Sequence, residues 1–180
     1  MLDYRLFKRE LFELTLERFD PKAAVECMLD IFKEQAIMQG VIIRFSIKKF
    51  LHCPVRQGER CEEEVEQIFR LLDKDAEIVA NSADTAFPWL MGDQVRLQQI
   101  LINLVKNALK FTDGGLIKVR MAYNEESKLL ILHISDTGIG IEHSNLGKLF
   151  SRFGKLRQED KSVNREGLGL GLTICEAIVA

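Results

Sequence analysis

The chain has 180 residues, enough for one core-bearing domain and little else. With 25 Lys and Arg against 27 Asp and Glu, its formal net charge of −2 gives no reason to expect a nucleic-acid partner held by bulk charge. No apolar run approaches the ~20 residues that cross a bilayer, the start lacks a secretory apolar core, and 4 cysteines in a chain this long make no disulfide framework, so a reduced, cytoplasmic protein is expected.

Phe12 to Phe19 alternates apolar and polar residues, the pattern of a half-buried strand. Asp20-Pro21 predicts a helix start, because Asp supplies the capping oxygen and Pro loses no needed donor at the first helical position. That helix is predicted over 21–39, with Ala24, Met28, Ile31 and Phe32 along one face and Gly40 as its left-handed stop. A second strand is predicted over 41–50. Residues 51–84 form a polar insertion with an acidic run at Glu62–Glu64 and a short helix around 65–72; a solvated helix on a long loop accounts for it. His52, Cys53 and Cys61 make a fragment of a metal set that no second close pair completes.

After the short apolar stretch Phe87–Met91, Gly92-Asp93 caps a helix over 94–111. Strands are predicted over 116–123 and 128–135, joined at Asn124-Glu125-Glu126-Ser127. Residues 142–166 read as a charged loop broken by short helices, and a last helix begins near 169–171.

Two asparagines stand out in the 94–111 helix. Leu97, Ile100, Leu101, Leu104, Ala108 and Phe111 form an apolar stripe, and Asn103, Asn107 and Lys110 fall within roughly a 60° sector on its flank. Lys106 points the other way, toward water. Asn is a poor mid-helix residue because its amide competes with the backbone. The pair reads either as ordinary surface amides or as a site. In a site, Asn107 offers a hard oxygen to Mg2+, which is usually shared with substrate phosphates, and Lys110 reaches those phosphates.

Three further signatures follow in order. Asp136-Thr137-Gly138-Ile139-Gly140 sets a carboxylate at a strand end before two glycines that admit close approach; a plain strand-ending turn is the alternative. Phe150 and Phe153 form a pair that ordinary amphipathic packing would also explain. Gly167-Leu168-Gly169-Leu170-Gly171 opens the last helix with unobstructed N–H groups, a seat for phosphate. Neither a Walker loop nor a dinucleotide fingerprint is present, since Gly147-Lys148 is followed by Leu149 and no third glycine stands at His143.

These four signatures, in this order and spacing, resemble the ATP-binding catalytic domain of histidine kinases, within the gyrase/Hsp90/kinase/MutL (GHKL) superfamily. The resemblance runs from about Phe12 to Ala180 and is interrupted by the insertion. It implies a two-layer α/β sandwich of the Bergerat type, a mixed sheet with helices on one face. It implies ATP and Mg2+ as cofactors, with Asn103, Asn107 and Lys110 as the catalytic set and Asn107 on the metal. Nucleotide contacts are implied at Phe111, Asp136, Gly138, Gly140, Ile141, Phe150, Phe153, Lys155, Gly167, Leu168, Gly169, Leu170 and Gly171, with Phe111 beside the adenine and Asp136 on its amine. Phe150 and Phe153 would anchor an ATP lid. Arg152, Arg157 and Lys161 lie near Lys155, and their order of importance stays open.

Relatives that hydrolyse ATP have Glu at the place of Asn103, and an amide cannot act as that base. Bound ATP then waits for a better nucleophile, which favours a kinase over a hydrolase. The resemblance implies a phosphoacceptor histidine on a helical hairpin and a response-regulator receiver domain as partners. His52, His133 and His143 do not lie in such a hairpin pattern, and residues 1–11 resemble only the tail of its second helix. The family continues past the last helix with a sheet-completing hairpin, which would lie beyond Ala180. A GHKL-type ATPase clamp and a non-catalytic nucleotide-binding fragment remain the alternatives.

Overall fold

The computed structural model describes residues 14–50, 87–146 and 171–179. In chain order these form β1 (Glu17–Phe19), α1 (Pro21–Ile31), α2 (Lys33–Met38), β2 (Val41–Phe50), β3 (Leu90–Gly92), α3 (Gln94–Phe111), β4 (Gly115–Asn124), β5 (Leu129–Asp136), α4 (His143–Leu146) and α5 (Gly171–Val179). The insertion, the residues before Leu14 and the segment 147–170 lie outside the described residues, and with them the predicted hairpin tail at 1–11, the 65–72 helix, His52, Cys53 and Cys61 and the lid.

The helix starts follow their sequence signals. Asp20 Oδ1 accepts from the amides of Lys22 and Ala23 at 2.9 and 3.2 Å, with Pro21 behind it. Asp93 caps α3 by accepting from the Arg96 amide at 3.0 Å, and its other oxygen accepts from the Thr15 amide at 3.1 Å. The predicted single helix over 21–39 is instead two, divided by a turn at Phe32, whose side chain is buried. Gly40, at φ +64°, provides the left-handed turn into β2. The predicted strand over 12–19 is shorter among the described residues, confined to Glu17–Phe19, where it pairs antiparallel with β3.

The main sheet has the order β2-β4-β5, with β2 parallel and β5 antiparallel to β4. It is therefore mixed, as the resemblance implies. Its register aligns Ile43, Phe45 and Ile47 with Ile117, Val119 and Met121, and Met121 in turn with Leu132. This face packs on α1 and α3 through Val25, Met28, Leu29, Leu101, Val105, Ala108 and Leu109. Leu101, Leu109, Ile117 and Met121 are among the largest fully buried side chains, each worth about 1.5–3 kcal/mol of transfer free energy.

The apolar stripe of α3 needs a correction. Val105 and Leu109 are buried completely, whereas Leu97, Ile100, Leu104 and Phe111 are only partly buried. The helix is covered from two directions. One side meets the sheet and α1, and the other meets α5, where Leu97, Ile100 and Leu104 share an apolar cleft of about 970 Å3 with Leu130, Leu132 and Ile178. Lys106 is exposed, as read from its rotation.

Candidate functional site

The polar residues picked out by spacing converge at the C-terminal half of α3. The helix ends at Phe111, where Thr112 leaves helical geometry at φ −110° and ψ 117°. Lys110 folds back so that its Nζ lies 5.2 Å from the centre of the Phe111 ring, a cation–π distance. One helical turn before Phe111, the Asn107 carboxamide is half-buried and hydrogen-bonds to no described residue. Solvent reaches this amide, so water or a ligand can supply its partner.

The turn after β5 is clamped to that helix end. The Ile139 amide donates to the Phe111 carbonyl at 3.2 Å. The Thr137 amide donates to the Leu116 carbonyl at 3.1 Å, and the Leu116 amide donates to Thr137 Oγ1 at 3.0 Å. Asp136 is exposed; its Oδ1 accepts from the Gly138 amide at 2.9 Å, and no other bond engages its carboxylate among the described residues. The carboxylate is thus oriented by its own turn with acceptor capacity left for an amine.

Gly138 has no room for a side chain. A Cβ there would overlap the Phe111 carbonyl oxygen and lie 2.8 Å from Asp136 Oδ1. Glycine is what lets the turn close against the helix. Gly140, at φ +68°, has open space where a side chain would stand, and Ile141 beyond it is half exposed. The arrangement puts a carboxylate, an aromatic ring, an ammonium and an amide around one end of α3.

Asn103 takes a different place. It faces α5 rather than the Asp136 turn: a Cβ at Gly171 would lie 3.4 Å from Asn103 Oδ1. The Cys175 thiol of α5 lies near it. Burial raises the Cys175 pKa above the ordinary thiol value, with the polar Asn103 side chain pulling the other way, so the group stays a thiol. Its Sγ lies 4.0 Å from the Ile100 carbonyl. Cys175 was not legible as a site residue in the sequence, where it is one small residue in an apolar helix. Its only signal is the spacing of four from Gly171, which sets both on one side of α5.

Of the residues singled out from the sequence, Asn103, Asn107, Lys110, Phe111, Asp136, Gly138, Gly140, Ile141 and Gly171 are described. Phe150, Phe153, Lys155, Gly167, Leu168, Gly169 and Leu170 lie outside the described residues. No group of three or more metal-ligating His, Cys, Asp or Glu side chains occurs among the described residues. Nor is any described helix long and apolar enough to cross a membrane. The apolar cleft beside Leu130 and Ile178 is not lined by the polar cluster.

Comparison with known proteins bears on the fold and family of the chain. Residues 92–180 match the family described as histidine kinase-, DNA gyrase B-, and HSP90-like ATPase. The chain is 40% identical over 123 residues to the autoinducer 2 sensor kinase/phosphatase LuxQ of Vibrio parahaemolyticus, covering 64% of this chain and 14% of LuxQ. It is 39% identical over 112 residues to the signal transduction histidine-protein kinase BarA of Escherichia coli, covering 59% of this chain and 12% of BarA. The matched region is therefore a small part of these relatives. Among solved structures, full-length ShkA in complex with AMPPNP superposes at a TM-score of 0.63 and 21% identity, over 97% of this chain and 28% of that one. The catalytic domain of histidine kinase ThkA superposes at 0.56 and 20% identity, over 92% of this chain and 81% of that one. These two share the fold.

Proposed function

Residues 92–180 belong to the histidine kinase-, DNA gyrase B- and HSP90-like ATPase family, and on that premise we propose how this histidine-kinase-type ATP-binding domain works. It holds Mg2+-ATP at the end of α3 and passes the γ-phosphoryl group to a histidine carried by another segment or chain. The observation that carries this reading is the clamp of the Ile139 amide on the Phe111 carbonyl, which sets Asp136 beside the Asn107–Lys110–Phe111 end of α3.

Asp136 would accept the adenine amine, Phe111 would flank the base, Lys110 would neutralise phosphate charge and Asn107 would hold Mg2+. A bound Mg2+ supplies charge neutralisation for the transferring phosphoryl group. The protein's own part is positioning and electrostatics, the usual division of labour in phosphoryl transfer. Asn103 supplies no base, which disfavours attack by water. Gly171 and the preceding Gly167–Leu170 would seat the phosphates at the start of α5, with Phe150, Phe153 and Lys155 on the lid and Ile141 near the base.

The partners that fit are a phosphoacceptor hairpin, whose tail residues 1–11 would represent, and a response-regulator receiver domain downstream. A cytosolic location suits such a relay. Isothermal calorimetry tests the reading: Mg2+-ATP should bind and Mg2+-GTP should bind poorly, because guanine presents an oxygen acceptor to the Asp136 carboxylate. Equal affinity for both would overturn it.

A further inference from the structure

Strand β5 runs antiparallel to β4, and its pairing ends with Asp136 opposite Ile117. The next pair in that register is Thr137 opposite Leu116. An antiparallel ladder satisfies a hydrogen-bonded pair with two backbone bonds, each residue giving its amide to the other's carbonyl. One of the two is made in that way, from the Thr137 amide to the Leu116 carbonyl at 3.1 Å. The Leu116 amide donates instead to Thr137 Oγ1, at 3.0 Å. A hydroxyl has taken the place of the ladder carbonyl.

With the Leu116 amide held by the hydroxyl, the Thr137 carbonyl is released from the ladder and the chain can turn out of the sheet. Two residues on, the Ile139 amide reaches the Phe111 carbonyl at 3.2 Å. Asp136 is thus the last residue held in the sheet, and its Oδ1 accepts from the Gly138 amide at 2.9 Å. Room for the hydroxyl comes from β4. A Cβ on Gly115 would overlap Thr137 Oγ1, and Gly115 has φ +136°, a conformation that side chains seldom adopt.

A residue without a hydroxyl at 137 could not accept the Leu116 amide through its side chain. That amide would then take water or the carbonyl of residue 137. The second choice extends the ladder by one residue and draws the turn off the end of α3.

We propose that Thr137 is a positioning residue: its hydroxyl stands in for the ladder carbonyl, ends β5 at Asp136 and aims that carboxylate at the adenine amine. This rests on the reading that Asp136 receives the amine. Thr137 acts through Asp136, and so sets selectivity for a 6-amino purine rather than affinity for phosphates.

The test compares Thr137→Ala with Thr137→Ser in the full chain, because the two variants differ only in the hydroxyl. Calorimetry reads the affinity for Mg2+-ATP and for the Mg2+ complex of purine riboside triphosphate, which lacks the 6-amino group. Thr137→Ala should bind ATP roughly twofold to tenfold more weakly, the worth of one ordinary hydrogen bond. Thr137 is exposed, so water competes for the bond and the loss stays on that scale. The same variant should bind the nucleotide without the amine as the wild type does, and Thr137→Ser should match the wild type with both. An Ala variant that keeps its ATP affinity or weakens both nucleotides equally overturns the proposal, as does a Ser variant as impaired as Ala.

Amide hydrogen exchange gives a readout without nucleotide. The Ile139 amide should exchange faster in Thr137→Ala than in the wild type, and at the wild-type rate in Thr137→Ser. Exchange at Ile139 unchanged by Thr137→Ala overturns the proposal even if affinity falls, because the turn then stays on α3 without the hydroxyl. If the wild-type chain binds no Mg2+-ATP, the nucleotide reading fails, and exchange at Ile139 alone decides whether the hydroxyl holds the turn.

Discussion

The Ile139 amide donates to the Phe111 carbonyl at 3.2 Å, joining the turn after β5 to the last residue of α3. A helix leaves its last carbonyls without intrahelical partners; here one of them is used to fasten the turn that carries Asp136. Thr137 fastens the same turn to the start of β4 through Leu116. The turn that carries the carboxylate is thereby tied to the helix end that carries Lys110 and Phe111.

Gly138→Ala should break that fastening. Its new methyl would overlap the Phe111 carbonyl, and overpacking of this kind costs about 1–3 kcal/mol. Thermal unfolding should show a lower melting temperature, and nucleotide affinity should fall with it. A variant as stable as the wild type would show that the turn relaxes freely and does not depend on the helix end.

Asp136→Asn keeps the size of the side chain and removes its charge. Loss of one charge-assisted hydrogen bond is worth ~1.5–3 kcal/mol, or roughly a tenfold to hundredfold loss in affinity. Calorimetry should find that loss for ATP and ADP alike, since both carry the adenine amine. Equal affinity of variant and wild type would remove Asp136 from the site.

Asn107→Ala should separate metal from nucleotide. Without its carboxamide oxygen, Mg2+ should no longer strengthen ATP binding, while binding in the presence of a chelator should match that of the wild type. Magnesium titrations at fixed ATP read this directly. A variant that keeps the full magnesium effect would place the metal on other groups.

The Cys175 thiol gives an alkaline signature. Burial raises its folded pKa above the ordinary thiol value, with the polar Asn103 side chain opposing. The folded state then holds the proton where the unfolded state has released it, so stability falls as pH rises. The contribution is fully present below the unfolded thiol's ~8.5 and is lost as pH climbs through the higher folded value. Melting temperatures from pH 7 to 10 should fall more steeply for the wild type than for Cys175→Val. Identical slopes would mean the thiol ionises freely in the folded protein.

Much of this was readable from residue order. Asp93 and the periodicity of the following residues placed α3 at its observed bounds, and Gly40 marked the entry to β2. Local rules suffice there because caps and left-handed turns act over a few residues. The stripe on α3 was read as one face, and Val105 and Leu109 were missed, because periodicity cannot show a helix covered from two directions. The turn at Phe32 escaped as well, because the helical periodicity runs unbroken across it. Asp136 and Gly138 were legible as a turn, but the clamp on Phe111 joins segments far apart in the chain. Cys175 offered only its spacing of four from Gly171, since its neighbours Ile100 and Asn103 stand on another helix.

The proposed phosphoryl transfer to a histidine elsewhere is tested most directly by labelling with γ-labelled ATP and Mg2+. The chain would be incubated alone and with a two-helix domain carrying the phosphoacceptor histidine. The predicted result is no label on the chain alone and slow, acid-labile, base-stable label on the hairpin domain, abolished by Asp136→Asn. Steady release of inorganic phosphate with no label on the hairpin, or label mapped to His133 or His143 of this chain, would contradict it.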